Sequence, residues 1–149
     1  MDRIPLYFAF FNEIGIIAQL SRAAFEARLP DGLTVPHFTV LNHLIRVADG
    51  RTPLELARAF QVPKTSMTNT LAGLEIRGLV EMRPNPADRR SKRIWLTEKG
   101  RRFREEAIAT LIPAMEGFAE RFSPDDIDAL LPRLTEMRAF LDAARDEAE

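Results

Sequence analysis

No cysteine occurs in this chain of 149 residues, which excludes disulfides, thiolate metal centres and thiol-based redox sensing. Histidine is almost as scarce. His37 and His43 are too far apart in phase to share a helix face, and with no cysteine nearby they make a poor metal pair; ordinary packing or surface roles are expected for both. The seven glycines form neither a phosphate-cradling loop nor a nucleophile elbow. Carboxylates are plentiful near the C-terminus, but acids of that kind line most solvated helices. An enzyme is therefore not expected, and no cofactor or metal is called for.

Long apolar runs are missing too. The most apolar segment, Leu6 to Leu29, is broken by Asn12, Glu13, Gln19, Arg22 and Glu26, and the first residues lack the pattern of a secretory signal. A cytoplasmic protein with no membrane partner is expected. An apolar fraction of 46% without low-complexity tracts suits one compact domain over 1–149.

A net basic charge is also absent: the formal sum is -1. Its distribution is uneven, however. Residues 1–76 carry 7 basic and 7 acidic side chains, residues 77–104 carry 10 and 3, and residues 105–149 carry 4 and 12. One short segment is strongly cationic while the tail is acidic, as expected when one face meets nucleic acid and the other end stays solvated.

The cationic segment has the pattern of a β-hairpin. Leu79 to Arg83 and Lys92 to Leu96 suit strands, and between them lies Pro-Asn-Pro-Ala-Asp-Arg-Arg-Ser, rich in turn formers. Its tip holds Asp88, Arg89 and Arg90, with Lys92 opening the return strand. Such a wing reaches duplex phosphates or a narrow, electronegative minor groove. Trp95 on the return strand is expected to pack on a helix rather than stack on a base.

Two short helices precede it. Thr52-Pro53-Leu54-Glu55 fits a capping box with proline at the first helical position; Leu56, Ala57 and Phe60 give that helix a buried side, and Pro63 ends it. The second helix is expected from about Lys64 to Arg77, with Met67, Leu71, Leu74 and Gly78 on its buried side. Its outer face carries Thr65, Asn69, Ala72 and Gly73, flanked by Ser66 and Thr68. Small polar groups suit entry into a major groove, where Asn pairs with adenine and Thr or Ala methyls touch thymine. Lys64, Thr65, Ser66, Thr68 and Asn69 are the candidate base and backbone readers.

In this order and spacing, Thr34-x-Pro36-x-Phe38-x-x-Leu41, Leu74-Glu75-x-x-Gly78-Leu79-Val80, Asp88-x-Arg90 and Leu96-Thr97-x-x-Gly100 resemble the MarR family of bacterial transcription regulators over nearly the whole chain. The resemblance implies a mainly α winged helix-turn-helix with a small β-hairpin wing. The reader module would occupy about 34–100, between dimerisation helices at about 6–29 and 101–146. It implies a homodimer on a pseudo-palindromic double-stranded DNA operator, in the manner of a repressor, released in many members by a small molecule. It also implies that Asp88 supports Arg90 as a minor-groove finger. Two positions depart from the family pattern: Asn69 stands where many members have Arg, and Pro63 where Ser or Asp often caps the second helix. Both bear on which operator is read.

The termini agree with association. Phe8, Phe10, Phe11, Ile14, Ile16, Ile17 and Leu20 make the first helix apolar on more than one side, so several neighbours must cover it. Ile108, Leu111, Met115, Phe118 and Phe122 form a stripe ended by the helix-start signal Ser123-Pro124-Asp125-Asp126, and Ile127, Leu130, Leu134, Met137 and Leu141 form another. Pro113 and Pro132 should bend or interrupt these helices. An effector cleft implied by the resemblance would draw on Phe11, Ile14, His37, Phe38 and Leu41, a lining suited to an aromatic or amphipathic compound. Two alternatives remain at this point: a winged helix that binds a protein partner without DNA, which would not need the cationic tip, and a regulator of another winged-helix family such as PadR-like proteins.

Overall fold

The computed structural model describes residues 2–30 and 32–148; Met1, Asp31 and Glu149, at the edges or inside the expected domain 1–149, lie outside them. The element order is α1 (Ile4–Glu26), α2 (Val35–Arg46), α3 (Pro53–Phe60), α4 (Lys64–Ile76), β1 (Val80–Pro84), β2 (Lys92–Leu96), α5 (Glu98–Ala109), α6 (Ile112–Arg121) and α7 (Pro124–Ala148). Helices dominate, with one two-stranded sheet. The chain divides into two compact units, Met1–Thr110 and Leu111–Glu149.

In the first unit, α2 to α5 and the hairpin close over a shared core of Val40, Leu41, Leu44, Leu56, Leu71, Leu74, Val80 and Ile94. Fully burying such side chains contributes roughly 1.5–3 kcal/mol each. The strands pair antiparallel from Val80 opposite Leu96 to Pro84 opposite Lys92. A third backbone segment joins them through a bridge at Arg51, whose carbonyl accepts the Ile94 N–H at 2.7 Å. The hairpin is thereby tied to the start of α3.

The junction after the hairpin explains the Leu96-Thr97-x-x-Gly100 spacing. Thr97 caps α5: its hydroxyl oxygen accepts the Gly100 N–H at 3.0 Å while its O–H donates to the Gly78 carbonyl at 2.6 Å. Gly78 has φ +69°, a left-handed turn that glycine takes without cost. Gly100 is required for a different reason, since a Cβ there would collide with the Leu79 carbonyl.

Helix α1 has no buried residue. Phe8 is 73% exposed and Phe11 51%, and Ile17 and Leu20 are likewise exposed. Its length and composition would suffice to cross a membrane. In the second unit, Pro113 divides the stripe expected to run from Ile108 to Phe122, so α5 ends at Ala109 and α6 starts afresh with proline in its first turn. Pro132, by contrast, lies within the continuous α7. Ser123 caps α7 in a reciprocal pair with Asp126, at 3.3 and 3.0 Å. Leu130, Leu134, Met137 and Leu141 are all exposed.

Candidate nucleic-acid interface

The turn between α3 and α4 is fixed by local chemistry. Thr52 Oγ1 accepts the Glu55 N–H at 3.2 Å, and Glu55 Oε1 accepts the Thr52 N–H at 3.1 Å, the capping box the sequence predicts. Arg51 donates to Glu55 at 2.6 Å, and this bond, followed by the one from the Thr52 backbone, holds the Glu55 carboxyl below the usual carboxylate range. Gln61 ends α3 in the left-handed region at φ +57°, which lets the chain reverse before Pro63 opens α4.

Helix α4 buries Met67, Leu71 and Leu74. Lys64, Thr65, Ser66, Thr68, Asn69 and Ala72 are exposed, while Gly73 is half-buried. At 100° per residue, Thr65, Asn69 and Ala72 form one stripe, and Ile76, 85% exposed, continues it. The Thr68 hydroxyl donates to the Lys64 carbonyl at 2.9 Å. The far end of α4 is anchored by Lys99, whose Nζ donates to the Arg77 carbonyl at 2.8 Å.

The wing tip is a pair of successive turns organised by Asn85, which is buried. Its Oδ1 accepts the Ala87 N–H and the Arg93 Nε–H, both at 3.1 Å. The Asp88 N–H donates to the Asn85 carbonyl and the Ser91 N–H to the Asp88 carbonyl. Asp88 Oδ1 accepts the backbone N–H of Arg90 at 2.9 Å. Asp88 thus shapes the turn that presents Arg90, and among the described residues no ion pair joins the two side chains. Arg89, Arg90 and Lys92 are exposed. Wing and helix meet over a cavity of about 240 Å³ that Lys64, Thr68, Met82, Arg90 and Lys92 help to line, so cations from both elements converge on one side of the module.

Three other residues hold the wing, and their roles are not readable from local sequence. Asp49 Oδ1 accepts the Leu96 N–H at 2.9 Å across 47 positions. Trp95 seats its ring on the turn at Gly50, where a Cβ would lie 2.5 Å from it. Arg83 lies over the ring at 5.2 Å and pairs with Glu81 at 3.3 Å. The signals available were the Asp-Gly pair before α3 and the Asn-Pro pair at the tip, both turn formers.

The residues suggested for an effector cleft lie in different surroundings. Phe11 and Ile14 are on the exposed face of α1, Phe38 packs edge-on against Phe25 at 4.6 Å, and Leu41 is fully enclosed in the core. His37 serves the N-terminus of α2: Nδ1 accepts the Thr34 N–H at 3.0 Å, and the ring rests on Gly73 of α4. Burial, then the Arg77 charge, lowers its pKa. His43 stacks edge-on with Phe60 and is lowered by burial and by Arg51.

Residues 31–91, the span of α2 to the wing tip, match the MarR family model. Solved structures agree over a longer span. The transcriptional regulator BldR from Sulfolobus solfataricus is 25% identical over 93% of this chain and 99% of its own, with a TM-score of 0.79. A MarR family transcriptional regulator from Rhodococcus sp. RHA1 is 26% identical over 89% and 94%, with a TM-score of 0.77. A mutant MarR from E. coli complexed with operator DNA shares the fold at 24% identity and a TM-score of 0.75, over 92% of this chain and 99% of that one. By its winged module the chain is similar to the MarR family over residues 31–91, and by its fold to solved transcriptional regulators, one of them of that family, over most of its length.

Proposed function

We propose that this protein binds a pseudo-palindromic duplex operator as a homodimer and acts as a transcriptional repressor. The observation that carries the reading is the convergence of an exposed small-polar face on α4 with the exposed cations Arg90 and Lys92 of the wing, on one side of a single module. Helix α4 enters the major groove, where Lys64, Thr65, Ser66, Thr68 and Asn69 meet bases and phosphates. The wing, with Asp88 shaping its tip, sets Arg90 against the adjacent minor groove. The E. coli relative complexed with operator DNA supports the same docking here.

In this reading the exposed apolar side of α1 and that of α7 each pack against the partner copy. That assignment also accounts for the apolarity of α1 without a membrane, and a protein that reads an operator in this way works in the cytoplasm. Release by an aromatic or amphipathic effector completes the proposal: Phe11, Ile14 and Phe38 offer apolar surface for it, while Leu41 is enclosed and His37 is committed to the α2 cap. No catalytic chemistry is assigned.

Operator titrations over a salt series test the reading. Affinity should fall steeply and linearly in log–log form as salt rises, because phosphate contacts release counterions. A protein that retains no duplex at low salt, or whose binding is indifferent to salt, is not a DNA reader.

A further inference from the structure

The side chains of α4 restrict which bases it can read, and we infer that the major-groove core of each operator half-site consists of A·T pairs, with no guanine read by this helix. The inference rests on the proposed DNA-binding role and specifies its substrate.

Guanine presents two acceptors in the major groove, N7 and O6, and is read by a side chain that donates twice, as Arg or Lys does. The stripe of Thr65, Asn69 and Ala72 contains no such group. The one cation in the first two turns is Lys64, which sits at the start of the helix on the cavity it shares with Thr68 and with Arg90 and Lys92 of the wing, and is taken here as a phosphate contact. Asn69 offers one donor and one acceptor in a single plane, which matches the N7 acceptor and N6 donor of adenine and mismatches the two acceptors of guanine. Its side chain is exposed at the centre of the face.

Thymine fits the neighbouring positions. The Thr68 hydroxyl spends its only proton on the Lys64 carbonyl, so this residue has none to donate to a guanine acceptor and meets a base through its methyl or its lone pairs. Ala72 has a methyl alone. Apolar contact with the 5-methyl group of thymine is the interaction left to Ala72 and one open to the Thr68 methyl. Thr65 and Ser66 keep rotatable hydroxyls and tolerate either pair.

The test uses the full-length protein and a library of random duplexes. Selected half-sites should centre on A·T pairs. Within them, replacing the contacted thymine by uracil, which removes only the 5-methyl, and adenine by 7-deazaadenine, which removes only N7, should each weaken binding. Asn69→Ala should weaken binding about 5- to 150-fold and abolish the 7-deazaadenine effect; Thr68→Ser should make thymine and uracil equivalent at one position. Half-sites centred on G·C, or A·T positions indifferent to both analogues, would overturn this inference while leaving DNA binding intact. Failure to retain any duplex at low salt would overturn the DNA-binding reading and this one with it.

Discussion

At the wing tip, one carboxylate oxygen sets the path of the backbone beneath the exposed Arg90. Asp88 bonds the N–H of that residue rather than its guanidinium, so its contribution is the shape of the turn. A neutral acceptor serves equally well. Asp88→Asn should bind operator at least as tightly as the parent, because the acceptor remains and a negative charge near phosphate is gone; Asp88→Ala should bind more weakly, by the roughly 0.5–1.5 kcal/mol of one net hydrogen bond. Equal losses in both variants would mean that the charge of Asp88, and not its oxygen, matters. Arg90→Ala should weaken sites with A·T-rich flanks most, since a narrow minor groove concentrates negative potential, and Arg90→Lys should recover only part of the loss. Titration of flanked and unflanked operators at one salt concentration separates these outcomes.

His37 also acts at the residue scale, through a proton it must not carry. Its Nδ1 accepts the Thr34 N–H, and both burial and Arg77 favour the neutral ring. The pKa is lowered on folding, so the unfolded chain takes up the proton first. Stability contributed by the neutral ring is present above about pH 6.5, the unperturbed value, is lost as pH falls below it, and stops falling once pH passes below the folded pKa. His43 is shifted in the same direction. His37→Gln keeps a capping side chain at the third helical position and removes one titrating group. Its melting temperature should therefore drop less than the parent's between pH 7.5 and pH 5.5, and an equal drop would remove His37 as a contributor.

At the scale of elements, the junction between wing and α5 has the least room for change. In Gly100→Ala the new methyl would meet the backbone oxygen of Leu79, which cannot swing aside as a side chain would. Overpacking costs about 1–3 kcal/mol even where side chains can yield, so the urea midpoint should fall by the upper part of that range or more. A midpoint within error of the parent would show that α5 can move away from the hairpin. The elements themselves were largely legible in the sequence because their ends are marked by local chemistry: Thr52 with Glu55, Ser123 with Asp126 and Pro63 before α4; Gly78, expected on the buried side of that helix, instead lies beyond its end and is exposed. The hairpin strands were placed to within a residue. The division of α5 from α6 was visible only as a proline in an apolar stripe. The seat of Trp95, the Asp49 bond to Leu96 and the commitment of His37 to a cap were not legible, because each joins a residue to a partner that only the folded backbone brings near. The effector residues illustrate the same limit: Leu41 and Phe11 look alike in an apolar pattern, yet one is fully enclosed and the other is half exposed.

At the scale of the whole molecule, the exposed apolar surface of a single chain is the feature that most requires a partner. Helix α1 exposes Phe8, Phe11, Ile17 and Leu20, and α7 exposes Leu130, Leu134, Met137 and Leu141. Isolated apolar side chains on a surface are ordinary, but rows of them along two helices of more than twenty residues mark an interaction surface. A second copy supplies the same surface twice and gives the twofold symmetry that a pseudo-palindromic operator demands. If folding and association are coupled in this way, stability must depend on protein concentration, because mass action favours the associated folded state. The melting temperature should rise between micromolar and tens of micromolar protein, and sedimentation should give twice the chain mass. Phe11→Asp or Leu134→Asp would bury an unpaired carboxylate at the interface, at a cost of several kcal/mol, and should shift sedimentation toward the chain mass while abolishing cooperative operator binding. A wild-type protein that sediments as a folded monomer at micromolar concentration, with a melting temperature independent of dilution, would leave these helices without the partner proposed for them.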